Sequence, residues 1–138
     1  MPHITIDYSS HLADLFDRTA FVKELHPLVS EESGSAGTCK TFCRPVDATF
    51  SGDTAQMSSF VHVDIGLLPG RTEHVKNRLS EDVLELLGKH LRAADDDPVV
   101  RSVEVRELAA SYRLTPGGPA AAPRCPKRDG GIPLESAS

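Results

Sequence analysis

The sequence predicts an α+β fold of two consecutive β-α-β units. They form a four-stranded sheet with two helices on one face. Two observations carry this. Residues 2–7 and 61–66 overlay as one alternating strand pattern, and each is followed by a turn, a helical apolar stripe and a second strand. The third observation is size: 138 residues and 14.9 kDa fit one domain with a modest core.

In the first unit, Pro2-His3-Ile4-Thr5-Ile6-Asp7 alternates Ile4 and Ile6 against polar residues. Asp17 is the expected helix cap, and Ala20, Phe21, Leu25, Leu28 and Val29 follow at helical spacing. Pro27 removes one N–H and is expected to kink or shorten that helix. The second strand is expected from about Cys39 to Thr49, closing a half of about 2–50. In the second unit, Val61-His62-Val63-Asp64-Ile65-Gly66 is the opening strand. Leu68-Pro69-Gly70-Arg71-Thr72 makes the turn and Thr72 the cap. Val75, Leu79, Val83, Leu86, Leu87 and Leu91 form the stripe. Asp95-Asp96-Asp97-Pro98 breaks the helix before a strand from about Val100 to Leu108, closing a half of about 60–110.

A strand-helix-strand unit within one sheet implies a right-handed parallel crossover. With both helices on one face, the other face needs cover. Ile4, Ile6, Val63 and Ile65 suggest more apolar strand surface than two helices require. The expectation is therefore a symmetric oligomer packed sheet face to sheet face.

Composition narrows the function. No apolar run approaches the ~20 residues of a membrane span, and the start of the chain has no secretory pattern. Three cysteines then read as reduced thiols in a cytoplasmic protein. The net charge of −5 argues against nucleic acid as a partner, since no basic field exists to displace counterions. Residues 115–138 hold five of the ten prolines and four of the ten glycines. This segment reads as a disordered or loosely docked tail after a domain of residues 1–114. It carries a charge of +1, which leaves −6 on the domain.

The second residue has chemical potential. Initiator Met is usually trimmed before a small residue, which would leave Pro2 as a secondary amine at the start of a strand. An ordinary α-amino group has a pKa of about 8. Desolvation and a nearby cation lower it, and a neutral amine near pH 7 is a good general base.

The opening Pro2-His3 is followed in order by Phe60-Val61-His62-Val63, Gly70-Arg71-Thr72 and Ser102-Val103-Glu104-Val105-Arg106-Glu107-Leu108. Over about residues 2–114 the chain resembles the tautomerase superfamily, and within it most of all the 5-carboxymethyl-2-hydroxymuconate isomerases. The resemblance implies a homotrimer that needs no cofactor. It also implies a proline that moves a proton between oxygen and carbon of a dienol, and a small anionic substrate bearing carboxylates. Arg71 stands where the family places a substrate-binding arginine, at a helix N-terminus that adds free N–H groups. Where the family has an arginine on the second strand, this chain has Lys40, which cannot make the bidentate fork. Arg44 is the fallback, four residues on and so on the same strand face.

Other readings are weaker. His3 and His62 match in the repeat and read as satisfied structural histidines at a strand pair or subunit contact. Cys39 and Cys43 lack two further ligands at metal spacing, so no metal is expected. A non-catalytic trimeric binding protein of this fold remains an alternative. So does a dehalogenase or hydratase relative, although Leu67 and Leu68 occupy the segment where its second arginine would stand.

Overall fold

The structure, a computed structural model, describes residues 1–50, 52, 59–92 and 98–115. All but Thr115 of the tail expected over 115–138 lies outside the described residues. The chain divides into two compact units, Met1–Leu108 and Ala109–Ser138. In the second, the described residues make a turn closed by the Tyr112 N–H on the Ala109 carbonyl at 2.9 Å. Among the described residues, no helix is long and apolar enough to cross a membrane.

In the first unit β1 is His3–Ser9, α1 Arg18–Ser33, β2 Lys40–Val46, β3 Ser59–Leu67, α2 Glu73–His90 and β4 Val99–Glu107. A single turn of 3-10 helix, Ser10–Leu12, follows β1. The strand order is β2-β1-β3-β4. β1 runs parallel to β2 and β3 parallel to β4, as the two crossovers require. The halves join through an antiparallel β1–β3 pair, with His3 opposite Gly66 and Tyr8 opposite Val61.

The alternation does what was expected of it. Ile4, Ile6, Tyr8, Val61, Val63, Ile65 and Leu67 are buried. They meet Phe21, Leu25 and Val29 of α1 and Leu79, Val83 and Leu87 of α2, which are buried in the same cluster. Asp17 caps α1 by accepting from the Ala20 N–H at 3.1 Å, and Thr72 caps α2 by accepting from Val75 at 3.2 Å. Pro27 does not shorten α1: the helix runs on to Ser33 and closes on Gly34 at φ 70. Only one backbone bond is lost there, while Phe21, Leu25 and Val29 anchor both sides of it in the core. β2 is shorter than expected. Pro45 has no N–H for the ladder and is tolerated because β2 is an edge strand, which ends one residue later.

The sheet face away from the helices is polar. His3, Thr5 and Asp7 of β1 share it with His62, Asp64 and Gly66 of β3, because paired residues point to one side. Lys40, Phe42 and Arg44 join from β2, and Ser102, Glu104 and Arg106 from β4. The four residues expected to leave apolar surface over (Ile4, Ile6, Val63 and Ile65) all point into the helix face at 0% exposure. The open face thus offers charge and two exposed edge residues, Phe42 and Val100, in place of a continuous apolar surface.

The helices are tied at both ends. Where α1 begins and α2 ends, the Asp17 N–H donates to the His90 carbonyl at 3.2 Å, and Glu24 accepts from Lys89 and His90. Near the other end Glu32 of α1 faces Asp82 of α2. Burial first, then a shared hydrogen bond and the like charge of Asp82, push the Glu32 carboxyl up to about 7, against the opposing pull of Arg78. Its Oε1 is buried without a partner.

That pair sets a pH dependence. An unfolded glutamate releases its proton near pH 4.5, whereas folded Glu32 holds it to about pH 7. Between those values the native state binds the extra proton, so its stabilising contribution is complete below the lower value and lost as pH rises through the upper one. Thermal unfolding at pH 5.5 and pH 8 should show the protein more stable at the lower value at this site. Glu32→Gln should raise the melting temperature at pH 8 and flatten the difference. An unchanged difference in that variant would show that another group is responsible.

Candidate active site

Pro2 lies just before β1 and is buried. Its carbonyl accepts from the Lys40 N–H at 3.2 Å. Because β1 and β2 are parallel with His3 opposite Lys40, this bond continues the ladder and pins the start of the chain to the sheet. The segment between α1 and β2 lies against it. A methyl placed on Gly37 would stand 3.2 Å from Met1 Cα.

Lys40, His3, Gly66 and Arg106 form one row across all four strands on the open face. The Lys40 ammonium lies 5.5 Å from the Phe42 ring centroid, and the His3 ring 5.6 Å from it. No ion pair involves Lys40 among the described residues. Arg106 donates from Nε and Nη2 to Asp64 at 3.0 Å each. It reaches that carboxylate because its own neighbour in register is Gly66, which has no side chain. A Cβ at Gly66 would also meet Leu108 Cδ2 at 2.5 Å and would oblige that side chain to move. Burial, with Lys40 and Arg106 adding to it against Asp64, lowers the His3 pKa and holds the ring neutral at pH 7.

The two histidines of the repeat differ. His62 Nδ1 shares a 2.7 Å hydrogen bond with Ser102, the strand partner expected for it. His3 Nδ1 is buried with no hydrogen-bond partner. Arg44 lies on the Lys40 face, as its spacing implied, but about 13 Å along the strand. There it forms a bidentate pair with Asp7 at 2.7 and 3.0 Å. Arg44 and Arg106 are counterparts in the two halves, since Asp7 and Gly66, their partners in register, overlay in the repeat.

Arg71 is more constrained than a first-turn arginine needs to be. Its Nε donates to the Ser33 carbonyl at 2.9 Å, Nη1 to the Leu68 carbonyl at 3.1 Å and Nη2 to Ser35 Oγ at 3.0 Å. Three of its five N–H donors thus join the end of α1 to the loop before α2, and two remain for a ligand. A cleft of about 440 Å³ opens there, lined by Glu31, Glu32, Ser33, Arg71 and Thr72 among others. A larger cleft, about 590 Å³, lies beyond the far end of β1 beside Asp17, Arg18, Lys89, His90 and Arg92. Its size does not make it the site: Pro2 and Lys40 are absent from its lining, and its Lys89 and His90 are already paired with Glu24.

Sequence reasoning thus singled out Pro2, Lys40, Arg44 and Arg71, and the fold brings Pro2 and Lys40 together at one sheet end. It missed Arg106. The signal was present: Arg106 repeats Arg44 in the second half, but only the strand register reveals the match.

The bonds of Arg71 predict a stability role. Arg71→Ala leaves the Ser33 and Leu68 carbonyls unpaired and should cost about 2 kcal/mol of unfolding free energy. Urea denaturation measures it. Unchanged stability alongside lost turnover would mean that these bonds are idle and that Arg71 serves a substrate alone.

Comparison with solved structures matches this arrangement to known folds. A 5-carboxymethyl-2-hydroxymuconate isomerase from Deinococcus radiodurans R1 superposes with a TM-score of 0.65 at 17% identity, covering 85% of this chain and 90% of that one. A 5-carboxymethyl-2-hydroxymuconate delta-isomerase superposes with 0.71 at 19% identity, covering 85% and 89%. A fused 4-OT symmetric trimer gives 0.63 at 15%, covering 80% and 89%. No curated protein matches in sequence. The family model described as 5-carboxymethyl-2-hydroxymuconate isomerase matches residues 2–116, so the chain belongs to that isomerase family of the tautomerase superfamily.

Proposed function

We propose that this protein is a cofactor-free isomerase that moves a proton in a carboxylated dienol such as 5-carboxymethyl-2-hydroxymuconate. In this reading Pro2, freed by removal of Met1, is the base and then the acid. The observation that carries it is the pinned, buried Pro2 at the sheet end that also bears Lys40. The neutral amine takes the enol hydroxyl proton. The O–H electron pair becomes the carbonyl π bond while the diene electrons shift along the chain, and the far carbon takes the proton back from the ammonium. The reaction is redox-neutral, and one group performs both transfers.

Charge builds on the dienolate between the transfers. Lys40 is the cation we assign to it and to a substrate carboxylate, with the two spare N–H groups of Arg71 as a second anchor. Arg44 enters this reading only if its pair with Asp7 opens. The protein would work in the cytoplasm, where Cys39 and Cys43, both unpaired, stay reduced.

We also propose a homotrimer. The support is the trimeric 4-OT of the same fold and an open sheet face whose Asp7–Arg44 and Asp64–Arg106 pairs are already neutralised within the chain. Light scattering should give a mass near three chains, with or without residues 115–138. A monodisperse monomer would refute the assembly.

The proline is tested by inserting one lysine between Met1 and Pro2, which turns the amine into a non-basic amide. Intact-mass measurement confirms which form is made. Ketonisation of a 2-hydroxymuconate-type dienol should fall to background while the melting temperature changes little. In the unmodified protein the rate should rise with pH through a midpoint below about 8, as the amine loses its proton. Full activity in the extended chain would eliminate Pro2 as the base.

A further inference from the structure

Of the glycines in the first unit, Gly34, Gly52 and Gly70 have positive φ, and Gly37 does not. Backbone conformation therefore does not demand glycine at position 37; what sets it apart is how closely Met1 approaches it. A Cβ built there would lie 3.2 Å from Met1 Cα, 3.3 Å from Met1 N and 3.5 Å from Met1 Cβ. These atoms belong to the residue bonded directly to the Pro2 nitrogen. A substrate atom exchanging a proton with that nitrogen must come within about 3 Å of it. Once Met1 is gone, the reacting atom and its neighbours enter the volume that Met1 held.

The segment carrying Gly37 is fixed on both sides. Before it, Ser35 Oγ accepts from Arg71 Nη2 at 3.0 Å and from Ser33 Oγ at 2.9 Å, while the Ser35 N–H donates back to Ser33 Oγ at 3.3 Å. Ser33 Oγ lies 2.6 Å from the Val29 carbonyl, within the last turns of α1. After it, the buried Cys39 thiol donates to the His26 carbonyl at 3.7 Å, and the Lys40 N–H bonds Pro2. Gly37 is held between these anchors two and three residues away, so it has little room to retreat from an added methyl.

We propose that Gly37 is a specificity-determining residue: its bare backbone is the wall of the substrate site beside the Pro2 nitrogen and sets how broad an unsaturated polycarboxylate can lie there. The proposal rests on the proline reading above. A flat conjugated dienol slides edge-on past a Cα hydrogen, whereas a branch beside the reacting atom needs the clearance that a Cβ would fill.

The test compares Gly37→Ala with the parent, in the Met1-trimmed protein and in the chain with lysine inserted between Met1 and Pro2. In the trimmed protein the methyl meets empty site, so the melting temperature should hold. Turnover of a dienol carrying a carboxymethyl branch should fall roughly ten- to a hundredfold, through KM more than kcat, and that of unbranched 2-hydroxymuconate much less. In the extended chain the methyl meets backbone, so Gly37→Ala should lower the melting temperature. Unchanged kinetics on both dienols in the trimmed protein would overturn the proposal, as would equal losses on both. So would a melting temperature unaffected in the extended chain. If the extended parent itself stays active, the proline reading fails and takes this one with it. That failure is distinguishable because it appears without any change at Gly37.

Discussion

The antiparallel pairing of β1 with β3 is the constraint on which the rest of this molecule depends. Ile4 faces Ile65 and Ile6 faces Val63 across it, and all four are fully buried. Burying each such side chain contributes about 1.5–3 kcal/mol, so the joint between the two halves is also the centre of the core. Each strand carries its own crossover to a parallel outer strand. Opposed in this way, the two crossovers lay both helices on one face and leave the other open. A one-residue slip would turn the isoleucines outward and His3 and Asp64 inward, which makes this register hard to lose.

The same register assembles the candidate site. Pairing His3 with Gly66, and each with its outer-strand partner, sets Lys40 and Arg106 at the two ends of one row beside Pro2. Residues drawn from positions 2 to 106 of the chain thus converge without any loop having to fold over. The end of α1 reaches the same region through Arg71, whose bonds to Ser33 and Ser35 hold the approach to β2. The clamp at that end and the Glu24 cluster at the other keep the helices from sliding over the core, so the segment beside the proline inherits the rigidity of the sheet.

What was legible in the sequence was what depends on local pattern. The alternation at Ile4, Ile6, Val61, Val63 and Ile65 identified the inner strands, and Asp17 and Thr72 identified the helix starts, because a cap acts within three residues. Pro27 misled because its local cost is real but is outweighed by packing on both sides. The surplus of apolar strand residues misled because counting them could not show that all of them point one way. The bonds of Arg71 and Arg106 and the close approach at Gly37 were hidden for a different reason. Each is defined by a neighbour far along the chain: Ser33 for the first, Asp64 for the second, Met1 for the third. The sequence singles out Arg71 for a ligand and not for these bonds, and Arg106 leaves a trace only as the repeat of Arg44.

The charges of the open face bear on how an acidic chain would receive the anion proposed for it. The domain expected over residues 1–114 carries −6, a field that repels dicarboxylates at long range. At the sheet end this field is countered locally. Asp64 is bound to Arg106, and Asp7, further along, to Arg44, so neither carboxylate faces an incoming anion unscreened. His3, between the cations, is held neutral by burial and by the cations themselves, and so adds bulk without competing for the substrate's charge. Lys40 is left with its ammonium over the face of Phe42 and no carboxylate in its own chain among the described ion pairs. A compact charge on a flexible stem recognises a carboxylate by proximity more than by geometry. In the proposed reading, shape selection then falls to the rigid parts of the candidate site, the pinned proline and the backbone of the segment held by Arg71. On that reading charge and shape are divided between different residues, where a forked arginine on the second strand would combine them.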